Sequence, residues 1–220
     1  MKTVFKLSTI ILTAMLFVCA SCKKKKNTPE PTNPIPPNES ELITTFKLLL
    51  TDSATNATTT YMFKDPDGDG GVTPYYGPGT TTTSSQTDSV VNLLANKTYY
   101  GQIILLDETK SPVDSISNAV NDEGKHHMFF YNNGMNTILS SSNPYAVQLN
   151  GSNIKVTYTD LDAGSTQRGI GLLTKWRTNA STGSVKNKLV ITLRHQPDSK
   201  DGTFTPGETD IEVSFKIVVN

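Results

Sequence analysis

The chain has 220 residues, with 20 Lys+Arg against 20 Asp+Glu, 3 His, 2 Cys and 1 Trp. A formal charge of zero argues against a nucleic-acid binder, which usually carries a basic domain. Only 18% of residues are charged, and the wealth of Thr, Ser, Asn and Gly favours strands and loops over long helices.

The first element is an address. Lys2 and Lys6 precede an apolar run from Leu7 to Ala20. That run suits a secretory signal and is short for a membrane span of about 20 apolar residues. It ends in Cys19-Ala20-Ser21-Cys22, which resembles a bacterial lipobox. The resemblance implies cleavage before Cys22 and attachment of diacylglycerol and acyl chains such as palmitate to that residue. Residues 1–21 are then the lipoprotein signal peptide. Both cysteines lie in this region, so the exported domain has no disulfide available.

Residues 22–40 hold the lipidated Cys and a tether. Four lysines, Lys23 to Lys26, lead into a Pro- and Asn-rich stretch with no apolar periodicity. Setting aside Lys2, Lys6, these four lysines, Glu30 and Glu39 leaves 14 basic and 18 acidic residues from Glu41 onward, a net of −4. A mildly acidic domain suits cations better than polyanions.

From Glu41 to the end, period-2 patterns alternate with turns. Phe46, Leu48 and Leu50 share one face of a strand over 43–51. Residues 97–106 are apolar on both faces, as in a central strand. A single short helix fits 114–123. Strands follow at 126–131, at 153–160 around Ile154, Val156 and Tyr158, and at 186–195 around Leu189, Ile191 and Leu193. The last runs from Ile211 to Val219. Sheets with one apolar face must pair. The expectation is an all-β, immunoglobulin-like β-sandwich. The favoured organisation is two packed β-halves, 41–142 and 143–220; a single large sandwich is the other.

Four groups of residues have the chemistry of a site. Asp65-Pro66-Asp67-Gly68-Asp69-Gly70 has the spacing of a calcium loop, in which Asp65, Asp67 and Asp69 converge on one hard cation. The EF-hand position for a bidentate Glu is Tyr76, so this is no EF-hand, and the same residues serve a polar turn equally. Further carboxylates stand in loops, at Asp160 and Asp162, at Asp201, and at Glu208 and Asp210, and together would crowd one end of a sandwich, where loops gather. His126 and His127 are adjacent and must point to opposite faces of a strand. His195 keeps the inward phase of Leu189, Ile191 and Leu193. His127 with His195 forms a candidate soft-metal or ligand site, for zinc or copper. A packed histidine is the alternative at each position. Trp176 with Tyr75, Tyr76, Tyr99 and Tyr100 suits either a ring-stacking surface or the core.

No nucleophile elbow, phosphate loop, dinucleotide fingerprint, HExxH or CxxC occurs. A non-enzymatic role is therefore expected. A glycan-active enzyme would need paired carboxylates in a cleft and ranks last.

Glu41-Leu42-Ile43-Thr44-Thr45, Phe63 to Gly71, His127-Met128-Phe129-Phe130-Tyr131, Leu193-Arg194-His195-Gln196-Pro197, Lys200-Asp201-Gly202 and Pro206 to Asp210 carry a resemblance. Together they resemble a family of small outer-membrane lipoproteins of Bacteroidota, often labelled type 1 periplasmic binding fold superfamily. That label implies an α/β fold, against the strand pattern read above. The resemblance implies an accessory to TonB-dependent nutrient uptake, lipid-anchored in the outer membrane, with a TonB-dependent receptor as partner. Surface-exported lipoproteins of that phylum often carry acidic residues after the lipidated Cys. Lys23 to Lys26 stand there instead, which leaves the periplasmic and the surface face both open. A structural or adhesive envelope module without a small-molecule ligand is the alternative.

Overall fold

The computed structural model describes residues 41–68, 73–77, 90–132, 146–149, 154–183 and 187–220. These belong to one compact unit. Cys22, the signal segment 1–21, the tether 22–40 and Asp69 lie outside the described residues.

Among the described residues, eleven strands and one helix follow in chain order: β1 (Thr45–Asp52), β2 (Thr58–Lys64), β3 (Tyr75–Tyr76), β4 (Val90–Leu93), β5 (Thr98–Leu106), α1 (Ile116–Asp122), β6 (His127–Asn132), β7 (Ala146–Leu149), β8 (Ile154–Tyr158), β9 (Leu173–Thr178), β10 (Asn187–His195) and β11 (Glu208–Val219). They form two open sheets. One has the order β3-β2-β1-β5-β9-β8-β7 and the other β4-β11-β10-β6. All pairings are antiparallel except that of β4 with β11. This mostly β, two-sheet arrangement is consistent with a β-sandwich and has no α/β character among the described residues. Each sheet draws strands from both sides of residue 143, because β5 pairs with β9 and β6 pairs with β10.

The alternation in the sequence decides which face meets the core. Phe46, Leu48 and Leu50 of β1 are buried, as are Leu189, Ile191 and Leu193 of β10 and Val213, Phe215, Ile217 and Val219 of β11. The two sheets meet through aromatic rings. Phe46 and Tyr76 contact Phe215 at centroid distances of 6.2 and 5.6 Å. Tyr131 of β6 meets Trp176 of β9 edge-on at 5.6 Å. Trp176 is wholly buried, and its indole N–H donates to the Thr174 hydroxyl at 2.8 Å, so its one polar atom is satisfied.

Strand β5 is central, between β1 and β9, yet only Tyr99, Gly101, Ile103 and Leu105 are buried. Its other face carries an exposed Tyr100 and Gln102. The expected burial on both faces fails because the other sheet covers only one of them. Burial of Trp176, Tyr75, Tyr76 and Tyr99 makes them core residues, so they form no ring-stacking surface with Tyr100. Among the described residues no helix is long and apolar enough to cross a membrane.

Candidate metal centre

The register of β6 on β10 builds the site. His127 lies directly opposite His195 at the end of that ladder, just as Phe129 lies opposite Leu193 and Tyr131 opposite Ile191. Opposed residues in an antiparallel pair share a face. The two imidazoles therefore stack, with centroids 4.6 Å apart and planes 10° from parallel. Helix α1 ends at Asp122, and Glu123 caps it. The helix thus delivers a carboxylate to the same end of the ladder. The main-chain oxygen of Glu123 also lies 3.3 Å from His127 Nδ1.

One ligand atom from each of Glu123, His127 and His195 lies within 4.8 Å of the others. Among the described residues this is the one group of three such side chains close enough to hold a metal ion. His127 is buried, while Glu123 and His195 are half-buried. Burial, helped by the neighbouring His195, pushes the His127 imidazole down to about 4. Burial also holds His195 below the usual histidine value, although Glu123 opposes it. A histidine that is neutral at pH 7 has a lone pair for a cation and no proton to displace. Two imidazoles and a carboxylate form a donor set for a borderline first-row ion such as zinc or copper.

The frame around His195 is specific. Gln196 follows it and is fully buried. Its side-chain amide donates to Thr203 O at 2.8 Å and Pro206 O at 2.9 Å. The 203–206 loop is thereby tied beneath the site. Gly207 closes that loop with φ +78°, and a Cβ there would stand 1.9 Å from the His195 carbonyl oxygen. The glycine is required twice, by backbone conformation and by contact.

Other candidates take different places. His126 lines an open cleft of about 340 Å³ together with Lys125, Asp162, Thr166, Arg168 and Lys200. Asp160 is structural: its two carboxylate oxygens accept the backbone N–H groups of Gly171 and Leu173, both at 2.9 Å. Asp162 pairs with Lys200 at 2.8 Å, and both side chains are almost wholly buried. Asp201 accepts the backbone N–H and the hydroxyl of Thr203, each at 2.7 Å. These carboxylates therefore do not gather into one cluster. Asp65 accepts the backbone N–H of Gly68 at 3.3 Å. Burial and the adjacent Asp67 carboxylate hold it above the usual range. Since Asp69 is outside the described residues, the full calcium loop is not seen.

Sequence reasoning missed Glu123. It stands four residues before His127, and that spacing was its only signal. The sequence around it, Asn121-Asp122-Glu123-Gly124-Lys125, reads as the solvated end of the short helix expected over 114–123.

Comparison of the chain with protein-family models, with characterised proteins and with solved structures finds no match.

Proposed function

We propose that this protein is a lipid-anchored, non-enzymatic β-sandwich of the outer membrane that binds a borderline transition-metal ion and presents it to a TonB-dependent uptake system. The observation that carries the reading is the convergence of Glu123, His127 and His195. The lipobox at Cys22 and the tether after it support the anchor, and the resemblance to small Bacteroidota lipoproteins supports the uptake partner. The architecture that goes with this reading is immunoglobulin-like, supported by two largely antiparallel sheets around one aromatic core. The leaflet orientation stays open between the periplasm and the surface.

Binding implies a movement. An imidazole lone pair lies in the plane of its ring, so two stacked, nearly parallel rings cannot both aim at one ion. One ring must turn. His127 is enclosed and His195 is half-exposed, so His195 is the ring that turns.

The test is zinc and copper binding by the full-length protein, read as metal content after dialysis and as a rise in melting temperature. At free ion about 100 times Kd, linkage adds about 2.7 kcal/mol of stability. His195→Ala should abolish the shift. No bound metal and no shift in the wild-type protein would refute the reading and leave the structural or adhesive module. Deleting residues 23–40 should spare binding and abolish uptake; unchanged uptake would refute the accessory role.

A second reading, calcium held by Asp65, Asp67 and Asp69, is supported by the side-by-side carboxylates of Asp65 and Asp67. Melting with added calcium, with and without Asp67→Ala, separates it from the histidine site.

A further inference from the structure

Strand β11 carries an irregularity at the edge of the metal centre. Arg194 pairs with Thr209 and Leu193 pairs with Ile211, so Asp210 is an extra residue opposite no partner on β10. This is a β-bulge, a device that re-aims a side chain and is common beside functional sites. Without the bulge, Asp210 would keep the phase of Glu212, Ser214 and Lys216, on the face opposite Val213, Phe215 and Ile217. With it, the carboxylate reaches His127: Asp210 Oδ2 lies 3.7 Å from His127 Nε2.

That contact is too long for a hydrogen bond. The Asp210 side chain is 4% exposed and the His127 side chain 3%. Asp210 Oδ2 is buried with no hydrogen-bond partner. His127 Nδ1 faces the Glu123 carbonyl, which can only accept, so the neutral ring carries its proton on Nδ1. Its Nε2 then presents a lone pair to the Asp210 carboxylate. With the carboxylate ionised, two acceptors face each other inside the protein, an arrangement that costs free energy unless a proton or a metal ion stands between them.

A metal ion meets that need. Two ligand atoms about 2.0–2.2 Å from one ion, at tetrahedral to trigonal angles, stand roughly 3.3–3.7 Å apart. We infer that Asp210, delivered by the β11 bulge, is a ligand of the same centre, which becomes a closed site of two imidazoles and two carboxylates. This rests on the metal-binding reading of Glu123, His127 and His195. It deepens that reading: four protein ligands leave no open coordination position, as in sites that hold an ion rather than catalyse with it.

The test uses the full-length protein and metal ions alone. Zinc affinity is measured by competition with a chromophoric chelator for the wild type, Asp210→Asn and Glu208→Gln. Asp210→Asn should lose at least about tenfold in affinity, the lower bound seen even for groups one shell further out. Its metal-free form should melt higher than the wild type, because a buried charge is gone. Glu208→Gln should bind zinc as the wild type does. Affinity unchanged in Asp210→Asn, with zinc still bound by the wild type, overturns the assignment of Asp210 and leaves the three-residue site standing. No zinc binding by the wild type overturns both.

A second measurement needs no variant. Cobalt substituted into the wild-type protein should give a visible spectrum that added thiocyanate does not change, since no position is open. A spectrum that shifts with thiocyanate overturns the closed site.

Discussion

Replacing Lys200 by Met should destabilise the protein more than any surface substitution. The Lys200 ammonium donates to Asp162 Oδ2 at 2.8 Å and to the Gly124 carbonyl at 2.7 Å. Asp162 Oδ1 in turn accepts the backbone N–H of Gly164 at 3.0 Å and of Arg168 at 3.2 Å. The pair side chains are 3% and 4% exposed. Burial pushes Asp162 up, but Lys200 and those two N–H groups outweigh it, and the carboxyl stays below its usual range. Lys200 has less compensation, so burial holds its ammonium below the usual lysine value. Removing one member of such a pair costs about 3–5 kcal/mol, because the other charge is left buried. For a domain of this size, each kcal/mol is about 2–4 °C of melting temperature. The expected loss is therefore roughly 6–20 °C. The carboxyl's folded value lies below its unfolded value near 3.9, so its contribution is present above that pH and fades as pH falls through the folded value. The deficit of Lys200→Met should accordingly be full at pH 7 and shrink in acid. Asp162→Asn, which removes the charge and keeps the Oδ1 acceptor for those two N–H groups, should recover part of it in the Lys200→Met background. The assay is urea unfolding from pH 3 to 8. A single-variant loss under about 1 kcal/mol, the value of an exposed pair, would refute the reasoning.

Two further outcomes follow from local geometry. Asp160→Ala frees the backbone N–H groups of Gly171 and Leu173 from a charged acceptor, at about 1.5–3 kcal/mol per bond, read as a lower urea midpoint with the slope unchanged. Gly207→Ala places a methyl 1.9 Å from the His195 carbonyl at φ +78°, so the chain must shift there. It should cost about 1–3 kcal/mol and weaken zinc binding, whereas Gly183→Ala, whose Cβ meets nothing within 4 Å, should leave zinc binding intact. Equal zinc affinity in both glycine variants would count against Gly207 as a positioning residue.

The strands with clean alternation are legible in the sequence: 43–51, 153–160, 186–195 and 211–219 match β1, β8, β10 and β11 within a few residues. Five strands give no signal, for different reasons. Strand β9 buries Thr174, Trp176 and Thr178, so its inward face reads as polar. Strand β2 is Thr-rich, with three exposed residues at its start. Strands β3, β4 and β7 are two to four residues long, too short for a period to show. At the site, phase puts His195 on an inward face, while the run HHMFFY is apolar on both faces, so phase alone does not choose between His126 and His127. Phase could not reveal Glu123, which comes from a helix cap, or Asp210, which a bulge moves out of phase. Both depend on where a regular element stops or breaks.

The same bulge gives the molecule an unusual proton balance. Burial, and after it the carboxylate of Glu41, pushes Asp210 up to about 7, with Arg194 opposing and Glu208 adding. Burial and His195 push His127 down to about 4, with the Glu123 carbonyl opposing and His126 and Lys200 adding. The two shifts have opposite consequences. His127 has a folded value below its unfolded value near 6.5, so between about 6.5 and 4 the unfolded chain binds the extra proton and stability falls as pH falls. This shift is worth about 3 kcal/mol in all. Asp210 has a folded value above its unfolded value near 3.9, so between about 7 and 4 the folded chain binds the extra proton and stability rises as pH falls, by about 4 kcal/mol. In the metal-free wild type the two nearly cancel, since the pair holds one proton across this range. Whether that proton sits on Asp210 or on His127, the count is the same. Asp210→Asn removes one side of the balance. Its stability, measured by urea unfolding in the presence of chelator, should fall by about 3 kcal/mol more than the wild type's between pH 6.5 and 4. At pH 8 it should be the more stable of the two, and by pH 4 the advantage should be gone. Parallel pH profiles for the two proteins would show that Asp210 and His127 do not share a proton.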